Sequence, residues 1–382
     1  MALRSSLAEV DRLVAAGQLA AAAQRLEAML LEGDGEAGQW LQLAGLRRAL
    51  RQPRRALESV HRALEMAPLN FVALVMRAGL LERLEDPTAG EAWGEAIAQR
   101  PPESLPVPLA TALQAGMRFH AAWLERREQR LSAAVLPMQE QAADDEAWRI
   151  TRFRDNVLRK TKVFHSEPTH FCFPGLTERE FHPAAGFAWI AALEAEADVI
   201  RGEALALLRS REGMREPYIQ YEDREALAQW RTLNRNPDWS AFHLLRRGEP
   251  VAANAGQAPR TMAALARLGQ RRVPGVSPNA MFSLLAPRTT IPPHVGVDNT
   301  RLVCHLPLVV PSGCWFRVGA ETRFWQEGKV LVFDDTIEHE ATNPTDDLRI
   351  VLIFDIWHPG LSPVERDAVS AMIAAEGRVL DL

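Results

Sequence analysis

The sequence predicts a multidomain α + β chain, with N-terminal α-helical repeats followed by a C-terminal double-stranded β-helix (jelly roll). Three observations predict it. The first hundred residues are rich in Ala, Leu, Arg and Glu, which favour helix. Small residues recur there at fixed spacing. After Val273 the chain turns into short apolar or alternating runs separated by Pro, Gly, Asn and Asp, as strands are.

In the helical part, Ala56 and Ala63 are followed by Pro68, and Ala89 and Ala96 by Pro101. Ala21 and Ala28 keep the first interval without the proline. The copies are offset by 35 and 33 residues (Ala21 to Ala56, Ala56 to Ala89). Small residues seven apart share a helix face and admit a second helix closely, and a following proline stops the helix. A period near 34 over residues 6–103 resembles tetratricopeptide repeats; a plain helical bundle is the alternative. Residues 104–163 keep a helical pattern, with Arg, Glu and Gln on one side and Leu, Phe, Trp and Ala on the other, and read as a helical connector. Near Phe164 Pro and aromatic residues become frequent (FHSEPTHFCFPG). This opens the third segment, 164–382. One amphipathic helix is predicted in FAWIAALEAEADVIRGEALALL, and strands in MFSLL, RLVCHLPLVV, CWFRVG, ETRFWQ, KVLVFDD and RIVLIFDIW. So many short strands in close succession suggest an antiparallel jelly roll.

Composition excludes several classes of function. The net charge of −5 gives no bulk electrostatic case for nucleic acid. Cys172, Cys304 and Cys314 form no Cys-X-X-Cys pair, so neither a disulfide framework nor a zinc site is expected. No run is apolar enough for a signal peptide or a membrane span, and a cytoplasmic location is the expectation. No G-X-S-X-G elbow or phosphate loop appears.

The histidines carry the candidate chemistry. His61, His120, His165, His170, His182 and His243 lie among helical or loop residues with no partner pattern and read as surface or satisfied groups. His294, His305 and His339 fall in the strand-rich region. Alternation puts Arg301, Val303 and His305 on one face, and Arg349, Val351 and Ile353 on one face of the last strand. An arginine opening an apolar strand needs an anion if it points inward. These residues suggest a metal and an organic acid held together. Three ordinary polar residues at strand ends would look the same.

The segment Phe282–Pro359 resembles the aspartyl/asparaginyl β-hydroxylase family of iron(II)/2-oxoglutarate oxygenases. The resemblance rests on FSLLAPRTTIPPHVGVDNTRLVCHLPLVVP, FWQEGKVLVFDDTIEHEATN and LRIVLIFDIWHP, and more weakly reaches back to Phe164. It implies a hydroxylase using Fe(II), the cosubstrate 2-oxoglutarate and O2, with no protein nucleophile. His294 and His339 would hold the metal. Gly296 would stand where related oxygenases carry a third, carboxylate ligand, and Asp298 is a possible substitute. Arg349 would pair with the distal carboxylate of 2-oxoglutarate, with Ser283 and His305 also on the cosubstrate and Arg301 on cosubstrate or substrate. Asp334, Asp335 and Glu338 are candidates to orient His339. Two family cations are absent: Val303 replaces an arginine and Met281 a lysine, which puts an acidic substrate in question. The implied partner is a peptide or protein substrate. A lipid-linked acyl chain and a non-catalytic repeat scaffold are the alternatives.

Overall fold

The computed structural model describes residues 2–33, 35–210, 213–222 and 228–376. The chain divides into two compact units, Met1–Arg154 and Asp155–Leu382.

The first unit is helical: α1 (Ala2–Ala15), α2 (Leu19–Glu32), α3 (Ala37–Ala49), α4 (Pro53–Met66), α5 (Phe71–Arg83), α6 (Ala89–Ala98), α7 (Val107–Gln141) and α8 (Asp144–Val157). Sequence punctuation sets several boundaries. Pro53 opens α4, the Asn70 side chain accepts the Ala73 N–H at the start of α5, and α4 and α6 end shortly before Pro68 and Pro101. Ala56, Ala63, Ala89 and Ala96 are buried, as the repeat spacing requires. In the first copy the register differs by one: Ala22 and Ala23 are buried, while Ala21 and Ala28 face outward. Buried Arg47 ties this part together by donating to Ser59 Oγ (2.8 Å) and the Arg55 carbonyl (3.0 Å), and it pairs with Glu27.

Most of the segment read as a connector, through Arg154, lies in the first unit. α7 packs on α6 so closely that a Cβ at Gly116 would meet the Trp93 ring at 2.2 Å, and one at Gly90 would meet Trp123 at 2.2 Å. Small residues therefore make α7 part of the helical unit. No helix among the described residues is long and apolar enough to cross a membrane.

The second unit contains β1 (Phe181–His182), α9 (Ile190–Glu194), α10 (Ala197–Arg209), β2 (Glu216–Pro217), β3 (Trp239–Arg246), β4 (Glu249–Pro250), α11 (Ala252–Ala255), α12 (Pro259–Ala266), β5 (Ala280–Leu285), β6 (Thr289–His294), β7 (Arg301–Val309), β8 (Trp315–Val318), β9 (Glu321–Phe324), β10 (Leu331–Phe333), β11 (His339–Asn343), β12 (Arg349–Trp357) and α13 (Pro363–Glu376). The helix predicted from Phe187 onward is split into α9 and α10. Six strands were not among the predicted runs: the two-residue β1, β2 and β4, and β3, the proline-bearing β6 and β11. The larger antiparallel sheet runs β1-β10-β7-β12-β5-β3-β2, with β4 on β3; the smaller runs β6-β11-β8-β9. This is the expected jelly roll.

Strand alternation separates two cores. Leu302, Cys304, Leu306, Leu352 and Phe354 face outward onto α9, α10 and α12. Between the sheets lie Val303, Phe316, Trp325, Phe333 and Ile353, and polar groups share that space with them.

Candidate active site

A cavity of about 870 Å³ opens between the two sheets of the second unit. Its lining includes every residue expected to hold a metal or cosubstrate: Ser283, His294, Arg301, His305, His339 and Arg349.

His294 ends β6 and His339 begins β11, and the two are cross-strand partners in the smaller sheet. Their ring centroids lie 4.0 Å apart. Each imidazole is fixed by a backbone carbonyl two residues back: His294 Nδ1 donates to Pro292 O (2.8 Å) and His339 Nδ1 to Ile337 O (3.1 Å). A carbonyl can only accept, so the proton sits on Nδ1 and each Nε2 keeps its lone pair. Burial pushes His294 down to about 3, assisted by its neighbour His339, and burial pushes His339 down to about 4. Both rings are therefore neutral at pH 7, the form that ligates metals.

The side chains of Asp334 and Glu338 do not orient His339, contrary to expectation; backbone groups do, chiefly the Ile337 carbonyl, with the Asp335 backbone also against the ring. Asp334 accepts from the Thr336 N–H (2.9 Å) and Glu338 pairs with Arg317 (2.9 Å). Asp335 sits against Gly296, where a Cβ would lie 2.3 Å from its Oδ2. A side chain at position 296 would project into space that this carboxylate fills. Hence H-V-G is not a damaged ligand triplet: glycine there makes room for Asp335. Gly296→Ala is expected to displace Asp335 and to destabilise the second unit by about 1–3 kcal/mol, the usual cost of overpacking; chemical denaturation measures it. Asp298 is turned away, paired with Arg271 (2.9 Å) and capping the Thr300 N–H (2.9 Å). Among the described residues no group of three or more His, Cys, Asp or Glu is placed to hold a metal.

The two arginines differ. Arg301 donates to Asp335 (2.7 Å) and lies 3.9 Å from Asp355. Arg349 is 1 % exposed, and the described residues give it neither a hydrogen bond nor an ion pair. It lies over the Trp325 ring at 5.0 Å, and burial lowers it to about 10, still protonated at pH 7. Beside it in the cavity, Ser283 Oγ accepts from Trp239 Nε1 (3.3 Å), and His305 keeps an unpartnered Nδ1. Burial holds His305 well below its ordinary pKa. A buried cation with no anion, a hydroxyl and a neutral imidazole form a receptor for a carboxylate.

Sequence reasoning missed the aromatic wall. Trp230 meets the His294 ring at 5.0 Å, and Tyr218 stacks on Trp239 at 3.9 Å. The signal was an excess of Trp over Tyr, ten against two. His170 and His243, expected as surface or satisfied groups, also line the cavity.

The family model described as aspartyl/asparaginyl beta-hydroxylase matches residues 194–359. The chain is 36% identical over 188 residues to the aspartyl/asparaginyl beta-hydroxylase of Mus musculus, covering 48% of this chain and 23% of that protein. It is 38% identical over 158 residues to aspartate beta-hydroxylase domain-containing protein 2 of Homo sapiens, covering 40% and 42%. It is 32% identical over 235 residues to the ornithine lipid ester-linked acyl 2-hydroxylase of Rhizobium tropici, covering 61% and 75%. The chain thus spans less than half of the first two relatives' length and three quarters of the third's.

Proposed function

Because the chain belongs to the aspartyl/asparaginyl β-hydroxylase family, we propose that it is an iron(II)- and 2-oxoglutarate-dependent hydroxylase of a peptide or protein side chain. One observation carries the cosubstrate assignment: Arg349 is a buried cation without an anion among the described residues, in the same cavity as two neutral imidazoles whose Nδ1 protons are held by backbone carbonyls. In this reading His294 and His339 hold the metal, Arg349 takes the distal carboxylate of 2-oxoglutarate, and Ser283 and His305 bind the same molecule. Arg301 holds Asp335 against Gly296.

Iron with 2-oxoglutarate and O2 supplies the power to hydroxylate an unactivated C–H bond, leaving succinate and CO2. The chain's own task is placement. The two backbone carbonyls fix both imidazole planes before anything binds, and the Trp230 and Trp239 rings shield His294. The buried arginine fixes the cosubstrate's orientation through its far end.

The direct test is succinate release by the full chain with iron(II), 2-oxoglutarate and air, with chelator and cosubstrate-free controls. No succinate under any condition would exclude the proposal. A further expectation concerns pH. Protons compete with a metal for imidazole, and an ordinary histidine site weakens as pH falls through about 6.5. Here both folded-state values lie near 3 and 4. Affinity for Mn(II) should therefore be nearly flat from pH 7 to about 5 and fall only near the folded values, as calorimetric titration at each pH would show.

A second reading is hydroxylation of a lipid-linked acyl chain. It is favoured by the Rhizobium tropici relative, of which this chain covers 75%. Product analysis with both substrate types separates the two.

A further inference from the structure

Among the described residues, the rows of the larger sheet that carry Met281, Ile353 and Val303 on the cavity face hold no arginine or lysine; the cavity's arginines, Arg246, Arg247, Arg301 and Arg349, lie around them. Strand register sets His243, Met281, Ile353 and His305 in one row across the larger sheet. In the next row Val303 pairs with Asp355, whose carboxylate accepts from the Asn279 N–H (3.1 Å). Beyond Ser283, this wall is therefore an apolar band of Met281, Ile353 and Val303. Met281 and Val303 are 1 % and 7 % exposed.

The cavity's arginines lie off this band. Arg349 is at the Ser283 end, where β12 pairs with Leu285. Arg301 is held by Asp335 and flanked by Asp355. Arg246 donates to Glu216 (2.6 Å) at the rim, where its side chain is 42% exposed. Arg247 lies past Asn279, whose Oδ1 accepts its backbone N–H (2.8 Å). A carboxylate set against the band would lose its hydration and gain no partner. At the rim, Arg246, Glu216 and Gln220 present groups of both polarities, which suits the donors and acceptors of a peptide backbone.

Resting on the hydroxylase reading above, we infer that the residue hydroxylated is a neutral side chain of a peptide, selected against Asp and Glu by Met281, Val303 and Ile353. These three are specificity-determining residues. The reaction inserts one oxygen atom of O2 into a C–H bond of that side chain; the other goes to succinate as 2-oxoglutarate loses CO2, so the balance closes with the cosubstrate already named.

The test uses the full chain with iron(II), 2-oxoglutarate and three degenerate peptide pools that differ only in a central Asp, Asn or Leu. Tandem mass spectrometry reads the gain of one oxygen at the central residue, and cosubstrate consumption is followed in parallel. The Asn or Leu pool should be modified at least about tenfold faster than the Asp pool, the scale on which a pocket discriminates by apolar fit. Val303→Arg, or Met281→Lys should the first variant not fold by circular dichroism, should shift the ratio toward Asp by about tenfold or more. If neither folds, the wild-type ratio decides. An Asp pool modified as fast as the neutral ones overturns the inference. So does cosubstrate consumption with no neutral peptide modified, including the case in which only a lipid-linked acyl chain gains oxygen. Absence of any cosubstrate consumption marks a different failure, that of the hydroxylase reading itself.

Discussion

Arg349→Met is expected to remove high-affinity 2-oxoglutarate binding while leaving the unliganded protein as stable as before, or more so. The two halves have one cause. Arg349 is buried and protonated and has no anionic partner among the described residues. An unpartnered buried charge destabilises a fold, and apolar side chains of similar volume in place of buried charges are often neutral or stabilising. The substitution gives up its contact with the Trp325 ring, worth about 0.5–2 kcal/mol. Against that stands relief of the desolvation that lowers its pKa. For the cosubstrate the sign reverses. Truncating one member of a buried, hydrogen-bonded charge pair costs about 2–5 kcal/mol, or about thirtyfold to several thousandfold in affinity. Calorimetric titration of 2-oxoglutarate and a melting curve decide both halves. A variant that binds cosubstrate normally, or melts well below wild type, would show that Arg349 is a structural residue.

The second large effect is at the imidazole pair. His339→Ala should abolish hydroxylation and lower divalent metal affinity by more than about a hundredfold. Loss of an orienting partner alone typically costs 10–100-fold, and this substitution removes one of two ligands. Stability should change little by comparison. The hydrogen bonds of His339 run to the backbone, chiefly to the Ile337 carbonyl, each worth about 1 kcal/mol net. A large loss of metal binding beside a small shift in melting marks a ligand. The reverse pattern would mark a core residue.

How much of this was legible beforehand depends on which physical signal each element carries. The long apolar strands Ala280–Leu285, Arg301–Val309 and Arg349–Trp357 announced themselves, because they are buried on both faces and read as nearly continuous apolar runs. Their alternation also placed Arg301, Val303 and His305 on the cavity side. Thr289–His294 was not legible as a strand. Pro292 and Pro293 cannot donate to a sheet ladder, so sequence rules demote such a run. Trp239–Arg246 was hidden for another reason, its place among charged, turn-forming residues. The orientation of His339 was misjudged because three carboxylates stand near it in sequence, whereas the nearest acceptor in space is a backbone carbonyl, which no side-chain pattern reports. Asp335 against Gly296 and the arginine–aspartate cluster around Arg301 join residues more than thirty positions apart, so only the folded sheets bring them together. Arg349 was recognised from an inward arginine and a resemblance. That it has no partner is a property of three-dimensional packing alone.

If His294 and His339 hold the metal as proposed, their pairing across adjacent antiparallel strands ties chemical competence to the order of chain assembly. Side chains alternate faces with period two, so a slip of one residue between β6 and β11 would turn one imidazole away from the other. No intermediate with that pairing unformed or shifted can present two nitrogens to a single ion. A nascent chain should therefore remain unable to capture metal until β11, and with it most of the second unit, has emerged and zipped onto β6. Capture would then come late and all at once, so an incomplete barrel could not start unguided oxidation. Pulsed hydrogen exchange during refolding would follow this: amide protection in Thr289–His294 and His339–Asn343 should appear in the same kinetic phase as metal uptake.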